Sequence, residues 1–197
     1  MPDRRDPAGS TAVTIALLQA EIERLKAELL KAEWRIAELE AKADVDPLLD
    51  ILNRRGFDRE LARSLAYVKR YEATAALVFI DLDGFKAIND AHGHAAGDAL
   101  LKAVVAALKS HVRASDTVAR LGGDEFAVLM WHLDEARAAA KARELEAIVG
   151  ATTVTHGTAA LAVGASAGSV ALPREGTAEA VLEAADKAMY ARKRERR

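Results

Sequence analysis

The chain has 197 residues, about half of them hydrophobic (51%), a formal net charge of −2 and no cysteine. That is enough for one sizeable domain and an appendage, and near-neutrality gives no bulk attraction to nucleic acid or to an anionic membrane. Disulfides and thiolate metal sites are excluded, and the composition fits a reducing cytoplasm.

Residues 1–10 contain two prolines and several charges but no apolar core of a signal peptide, so they read as a disordered leader. Residues 11–44 predict one long helix. Its apolar residues fall at Ile15, Leu18, Ile22, Leu25, Leu29, Ala32, Ile36, Leu39 and Ala43, in alternating steps of three and four. That is a heptad seam with Ile at a and Leu at d, which favours a parallel coiled-coil homodimer. Glu21 would face Lys26 of a second copy, and Arg35 would face Glu40; Glu28 opposite Glu33 is a mismatch. A second stripe, Ala27, Leu30, Trp34, Ala37 and Ala41, lies on the outer face and is a candidate contact surface.

Asp44-Val45-Asp46-Pro47 ends the helix, since a residue before proline is steered out of α geometry. Residues 45–197 then read as one globular domain. Helix is expected over 54–71, 85–92, 97–111, 134–149 and 177–194, the last capped by Thr177. Strands are expected over 75–82, 117–121 and 126–131, with one or two more within 151–172. Alternation of the two types gives an α/β or α+β class. The weakly polar stretch 157–172 is too short to span a bilayer, so no membrane insertion is expected.

Two short segments carry chemistry. Asp81-Leu82-Asp83 ends an apolar strand, and alternation puts Asp81 and Asp83 on one face. Gly84-Phe85-Lys86 follows, offering backbone amides at a helix start, which suits a phosphate. Gly122-Gly123-Asp124-Glu125-Phe126 separates two strands; the glycines are expected to supply the positive φ of a tight hairpin, with two carboxylates at its tip or on its second strand. Carboxylates gathered this way suit Mg²⁺ (or Mn²⁺), which takes few protein oxygens and leaves the rest to phosphate and water. His92 and His94 have no acidic partner arranged around them and are not read as metal ligands.

Together these segments resemble the GGDEF family, the bacterial diguanylate cyclases. Residues 81–90 fit DxDxFKxxND, 93–98 fit GHxxGD, 120–126 fit RxGGDEF, Asn53-Arg54-Arg55 fits NRR and 185–190 fit ADxAMY. The resemblance implies a mostly antiparallel central sheet flanked by helices, similar to nucleotidyl cyclases and the polymerase palm. It implies condensation of two GTP into cyclic di-GMP with release of two pyrophosphates, by a homodimer in the cytoplasm. By position, Asp81 and Glu125 would hold the metal with the Leu82 carbonyl, and Asp124 would lie close by. Asn89 and Asp98 would bind guanine. Gly84, Phe85, Lys86, Lys193 and Arg197 would approach the phosphates, with Gly122 and Gly123 in the same wall. Glu125 is either a metal ligand alone or also the acceptor of the hydroxyl proton. Arg113-Ala114-Ser115-Asp116 falls where the family binds its product as an inhibitor; arginine suits that role because its planar fork grips phosphate and stacks on a base.

Two departures stand out. The family's DxLTGLxNRR opening has Leu49 for Thr and Asp50 for Gly here, and its AKxxGRN ending becomes Arg192-Lys193-Arg194-Glu195-Arg196-Arg197. The alternative reading is a non-catalytic cyclic di-GMP receptor or a scaffold; intact metal ligands in the sequence weigh against it.

Overall fold

The computed structural model describes residues 7–195. The chain divides after Ala43 into two compact units.

The first unit is helix α1, Pro7–Ala43, about 55 Å long at 1.5 Å per residue. It starts at Pro7, so residues 7–10, expected as leader, are helical; residues 1–6 lie outside the described residues. Proline fits a first helical position because its φ is already fixed there and its missing N–H is not needed. The seam residues Leu18, Ile22, Leu25, Leu29 and Ile36 are all exposed, as are Leu30 and Trp34. Glu21, expected to reach a second copy, is engaged within its own helix by Arg24 at 2.6 Å, and Arg24 also meets Glu28 at 3.2 Å. Such exposed pairs add only a few tenths of a kcal/mol.

The second unit has a four-stranded antiparallel sheet in the order β2-β3-β1-β6, with β1 Ala75–Asp83, β2 Thr117–Arg120, β3 Glu125–Trp131 and β6 Gly164–Ala171. A separate hairpin pairs β4, Thr153–His156, with β5, Ala159–Ala162. Residues 151–172 thus hold three strands rather than one or two. Gly157, at φ 61°, makes the additional turn.

Strand parity sorts the core into two layers. Val78, Ile80 and Leu82 of β1 and Phe126, Val128 and Met130 of β3 face one side, against α4, His94–Ser110, and α5, Glu135–Ala151. Leu77 and Phe79 with Ala127 and Leu129 face the other side, against α2, Arg54–Tyr71, and α6, Ala178–Glu195. The short α3, Phe85–His92, links β1 to α4, which begins at His94 and not at residue 97. Thr177 caps α6 as expected, its Oγ1 accepting from the Ala180 N–H at 3.2 Å.

Helix α6 lies unusually close to the sheet. A Cβ on Gly168 would stand 2.0 Å from the Met189 nitrogen, so only glycine admits the helix at that depth. This close approach fixes the height of everything one turn beyond Met189, including Lys193.

The linker after α1 is also built in. Asn53 caps α2 by accepting from the Gly56 N–H at 3.0 Å, and Asp44 pairs with Arg55 at 2.8 Å and Arg59 at 2.5 Å. Leu49, in place of the family's threonine, is 6% exposed and packs in the α4/α5 layer with Ile51.

Candidate functional site

The second layer's face of β1 is apolar through Phe79 and then turns acidic. Asp81 and Asp83 continue the parity of Leu77 and Phe79, and β1 runs to Asp83, so both carboxylates share one face as expected. Glu125 sits directly opposite Asp81 on β3, and Ser166 directly opposite it on β6. Asp81 is therefore flanked on both sides. Buried Ser166 donates to the Asp83 carboxylate, 3.1 Å from each oxygen.

Lys193 joins this cluster from α6. It stands four residues after buried Met189, so it projects from the same helix face. Its ammonium contacts the Asp81 carboxylate and lies 3.6 Å from Asp83. The expected phosphate-binding lysine is thus engaged with carboxylates.

Asp124 lies in the loop between β2 and β3, where its carbonyl accepts from the Leu82 N–H at 3.1 Å. This bond ties the loop to β1 beside Asp81. Neither Gly122 nor Gly123 has a positive φ, contrary to expectation. Gly122 matters in another way: a Cβ there would stand 2.7 Å from Glu125 Oε2, the mobile end of that side chain, which would have to shift. The carboxylate folds back over its own loop, and glycine leaves it in that position. A Cβ on Gly123 would meet nothing within 4 Å.

The electrostatics are strained toward negative charge. Glu125 has its pKa raised, first by burial and then by Asp81, Asp124 and Asp186; Arg54 opposes weakly. Asp81 is also raised, by burial first, with Asp124 and Asp83 adding and Lys193 opposing. Among the described residues no three carboxylates or imidazoles converge tightly enough to cage a metal by themselves. The pair Asp81 and Glu125 nevertheless fits a small divalent cation: two hard oxygen donors face each other across adjacent strands, both under-compensated, with an amine drawn in against one of them.

Two further clusters flank this centre. A Cβ on Gly97 would lie 1.9 Å from Asn89 Oδ1, so the Asn89 amide rests on the α4 backbone next to Asp98. The α3–α4 junction thereby brings Asn89 and Asp98 together, both partly exposed, and Gly93 at φ 82° makes the reversal between the helices. Gly84, at φ 78°, starts α3 and turns Phe85 inward while leaving Lys86 exposed. On the other side, a groove is lined by Glu125, Arg54, Asp58, Asp186, Phe79 and Leu182.

The Arg113–Asp116 turn sits at the opposite end of β2. Asp116 accepts from the Arg113 N–H at 2.9 Å and the Trp131 N–H at 3.2 Å, so both its oxygens serve the backbone. The exposed Arg113 guanidinium has no hydrogen-bond or ion partner among the described residues. Arg197 falls outside the described residues.

Arg120 and Asp46 escaped the sequence reading as site residues. Arg120 donates to the carbonyls of Gly122, at 3.0 Å, and Gly123, at 2.8 Å, and pairs with Asp46 at 3.1 Å. Asp46 meanwhile caps the linker turn through the Leu48 and Leu49 N–H groups. The only available signal was that an arginine flanking a Gly-Gly loop can grip exposed carbonyls.

The family model described as diguanylate cyclase, GGDEF domain, matches residues 43–197. The diguanylate cyclase DgcP of Pseudomonas aeruginosa is 34% identical over 90% of this chain, which spans 27% of that protein. DgcS of Shewanella oneidensis is 32% identical over 86% of this chain, which spans 56% of that protein. The chain thus covers about half or less of the curated relatives it matches. Among solved structures, the coiled coil and GGDEF domain of DgcB from Caulobacter crescentus, in complex with c-di-GMP, superposes with a TM-score of 0.75 at 27% identity, covering 90% of this chain and 94% of that one. A sensory box/GGDEF family protein from the same organism gives 0.71 at 40% identity, over 77% of this chain and 99% of that one. The chain belongs to the diguanylate cyclase GGDEF-domain family.

Proposed function

We propose that residues 45–197 form a Mg²⁺- or Mn²⁺-dependent diguanylate cyclase domain that works as a homodimer through the helix of residues 11–44. The observation that carries the reading is the Asp81–Glu125 pair, set opposite across β1 and β3 with raised carboxyl pKa values. Asp81, Glu125 and the Leu82 carbonyl would hold the cation, with Asp124 beside them. Its contribution when bound is to offset the charge that builds on the phosphoryl oxygens and on the leaving pyrophosphate.

The protein's own groups divide the remaining work. Asn89 and Asp98 bind the guanine edge, the acid accepting from its adjacent N–H donors. The Gly84, Phe85 and Lys86 amides cradle the terminal phosphates, and Lys86 supplies a positive charge. Lys193 moves from Asp81 to those phosphates as substrate arrives. The 3′-oxygen of one GTP forms a bond to the α-phosphorus of the other as the bond to pyrophosphate breaks. The hydroxyl proton passes to Glu125, which stands opposite Asp81 across the two strands. A second such step closes the ring.

Each domain supplies half of the reaction, so a second copy is required. The exposed a and d residues of α1 provide the surface, and a coiled coil raises the effective concentration of one domain near the other. Among the described residues no helix is long and apolar enough to cross a membrane, in keeping with a cytoplasmic enzyme acting on GTP. Product inhibition is assigned to Arg113, with Asp116 holding its turn. DgcB was crystallised with c-di-GMP, which supports a product site in this family member too.

Incubation with GTP and Mg²⁺ should yield cyclic di-GMP and pyrophosphate, and Asp81→Asn should abolish both. Wild-type protein that binds cyclic di-GMP yet makes none with either metal would establish the receptor reading instead. Arg113→Ala should turn over GTP without slowing as product accumulates; retained inhibition would remove Arg113 from the product site.

A further inference from the structure

We propose that Lys109 is the second cation of the product site and that it ties a bound phosphate to the linker turn that follows α1. The inference rests on the assignment of Arg113 to cyclic di-GMP. A groove runs between that linker turn and the C-terminal end of α4; it is lined by Lys109 and Arg113, by Val45 and Leu52, and by Val112 and Val118. Lys109 and Arg113 are four residues apart and border the same groove. The four aliphatic side chains offer a surface suited to the face of a base.

The groove also carries two acids, Asp50 and Asp116, and its two cations, Lys109 and Arg113, are the groups that can answer the phosphates of a cyclic dinucleotide. The ligand carries two phosphodiester groups, and Arg113 alone answers one of them. The Asp116 carboxylate does not compete for the arginine, because both its oxygens accept from backbone N–H groups. Lys109 donates one hydrogen bond, to the Asp50 carbonyl at 3.0 Å. An ammonium has three N–H donors, so it can keep that bond and still grip a phosphate oxygen. Phosphate, Lys109 and the Asp50 carbonyl then form a continuous chain from ligand to linker.

The linker end of this chain is ordered by its own bonds. Asp46 N–H donates to the Ile51 carbonyl at 2.8 Å, and Asp50 N–H to the Asp46 carbonyl at 3.0 Å. Holding the Asp50 carbonyl more firmly therefore slows opening of the whole turn. Product binding would reach the segment joining the helix to the domain without touching the carboxylate site.

The test uses the full chain, cyclic di-GMP titration by calorimetry, and amide hydrogen exchange of residues 48–53 with and without saturating product. Lys109→Met should weaken binding about tenfold, the usual effect of losing one charge-assisted hydrogen bond, and Lys109→Arg should restore most of it. Product should slow exchange in the turn of wild type but not of Lys109→Met at saturation. Full affinity in Lys109→Met, or product-induced slowing that survives in it, would overturn the role of Lys109. Arg113→Ala separates the two levels: unchanged binding there removes the product site itself, whereas binding lost in Arg113→Ala and intact in Lys109→Met removes only the lysine.

Discussion

The two ends of β2 carry opposite electrostatic problems. At the Glu125 end the fold gathers more carboxylate than it compensates, and Lys193 is the only cation in direct contact with Asp81 among the described ion pairs. At the Arg113 end the Asp116 carboxylate is occupied by backbone N–H groups, and the arginine is left to solvent. One end is arranged to attract a cation and the other an anion, only four strand residues apart. The linker touches both. Leu52 bridges to Ala119 in the middle of β2, Asp46 pairs with Arg120 at one end, and Lys109 holds the Asp50 carbonyl at the other. The contrast teaches that stability and function pull apart at the acidic end but not at the basic one.

Glu125→Gln tests that contrast most severely. Cyclic di-GMP formation should fall on the order of a thousandfold, as for loss of a group that acts on developing charge. Melting temperature without metal should rise. Glu125 has a folded pKa above its unfolded value, so its contribution to stability is present below the unfolded pKa and lost as pH rises through the raised one. The advantage of the glutamine variant should therefore be largest at neutral pH and vanish under acid conditions, and Mg²⁺ should stabilise wild type more than the variant. A variant melting below wild type at neutral pH would mean that the carboxylate is compensated after all.

Gly122 and Gly123 come next, because they distinguish crowding from turn geometry. Gly122→Ala should lower activity about a hundredfold, since its Cβ would displace Glu125 Oε2, and a fixed acid moved by about 1 Å loses that order of rate. Gly123→Ala has open space and should stay within a few-fold of wild type. Equal losses in the two would return the glycines to a conformational role. Arg120→Ala should follow, with a loss of about tenfold in rate, because it frees the Gly122 and Gly123 carbonyls. Asp46→Asn removes only the Oδ2 partner of Arg120 and keeps an oxygen for the Leu48 and Leu49 N–H groups, so it should cost less activity than Arg120→Ala and leave hydrogen exchange at Leu48 and Leu49 near wild type.

Much of this was legible in the sequence, for physical reasons. Strand alternation is strictly periodic, so the shared face of Asp81 and Asp83 followed from spacing alone. The long periodic helices and the Thr177 cap were similarly local. What escaped was long-range or steric. Asp46 and Arg120 are 74 positions apart, and no local pattern announces their meeting. The role of Gly122 depends on where a neighbouring carboxylate folds, and that of Gly168 on how deeply α6 packs. The strands after Ala151 are short and rich in small residues, so their alternation carried too little contrast to separate β4, β5 and β6.

The smallest expected effect concerns the one departure from the family pattern with a backbone consequence. Asp50 replaces the glycine of the family opening and sits at φ 51°, in the left-handed region. An L-residue there costs about 1–2 kcal/mol in general, less for Asp, whose short polar side chain tolerates the region. Leu49 before it is buried and Lys109 holds its carbonyl, so the turn cannot relax to a negative φ without breaking both. Asp50→Gly should therefore stabilise the domain by about 0.5 kcal/mol, the steric relief being partly offset by the greater freedom of glycine in the unfolded chain. Denaturant midpoints should show it as a small upward shift with an unchanged slope. A downward shift would mean that the Asp50 carboxylate, and not merely its backbone, supports the linker, and that the substitution is a stabilising feature of this chain.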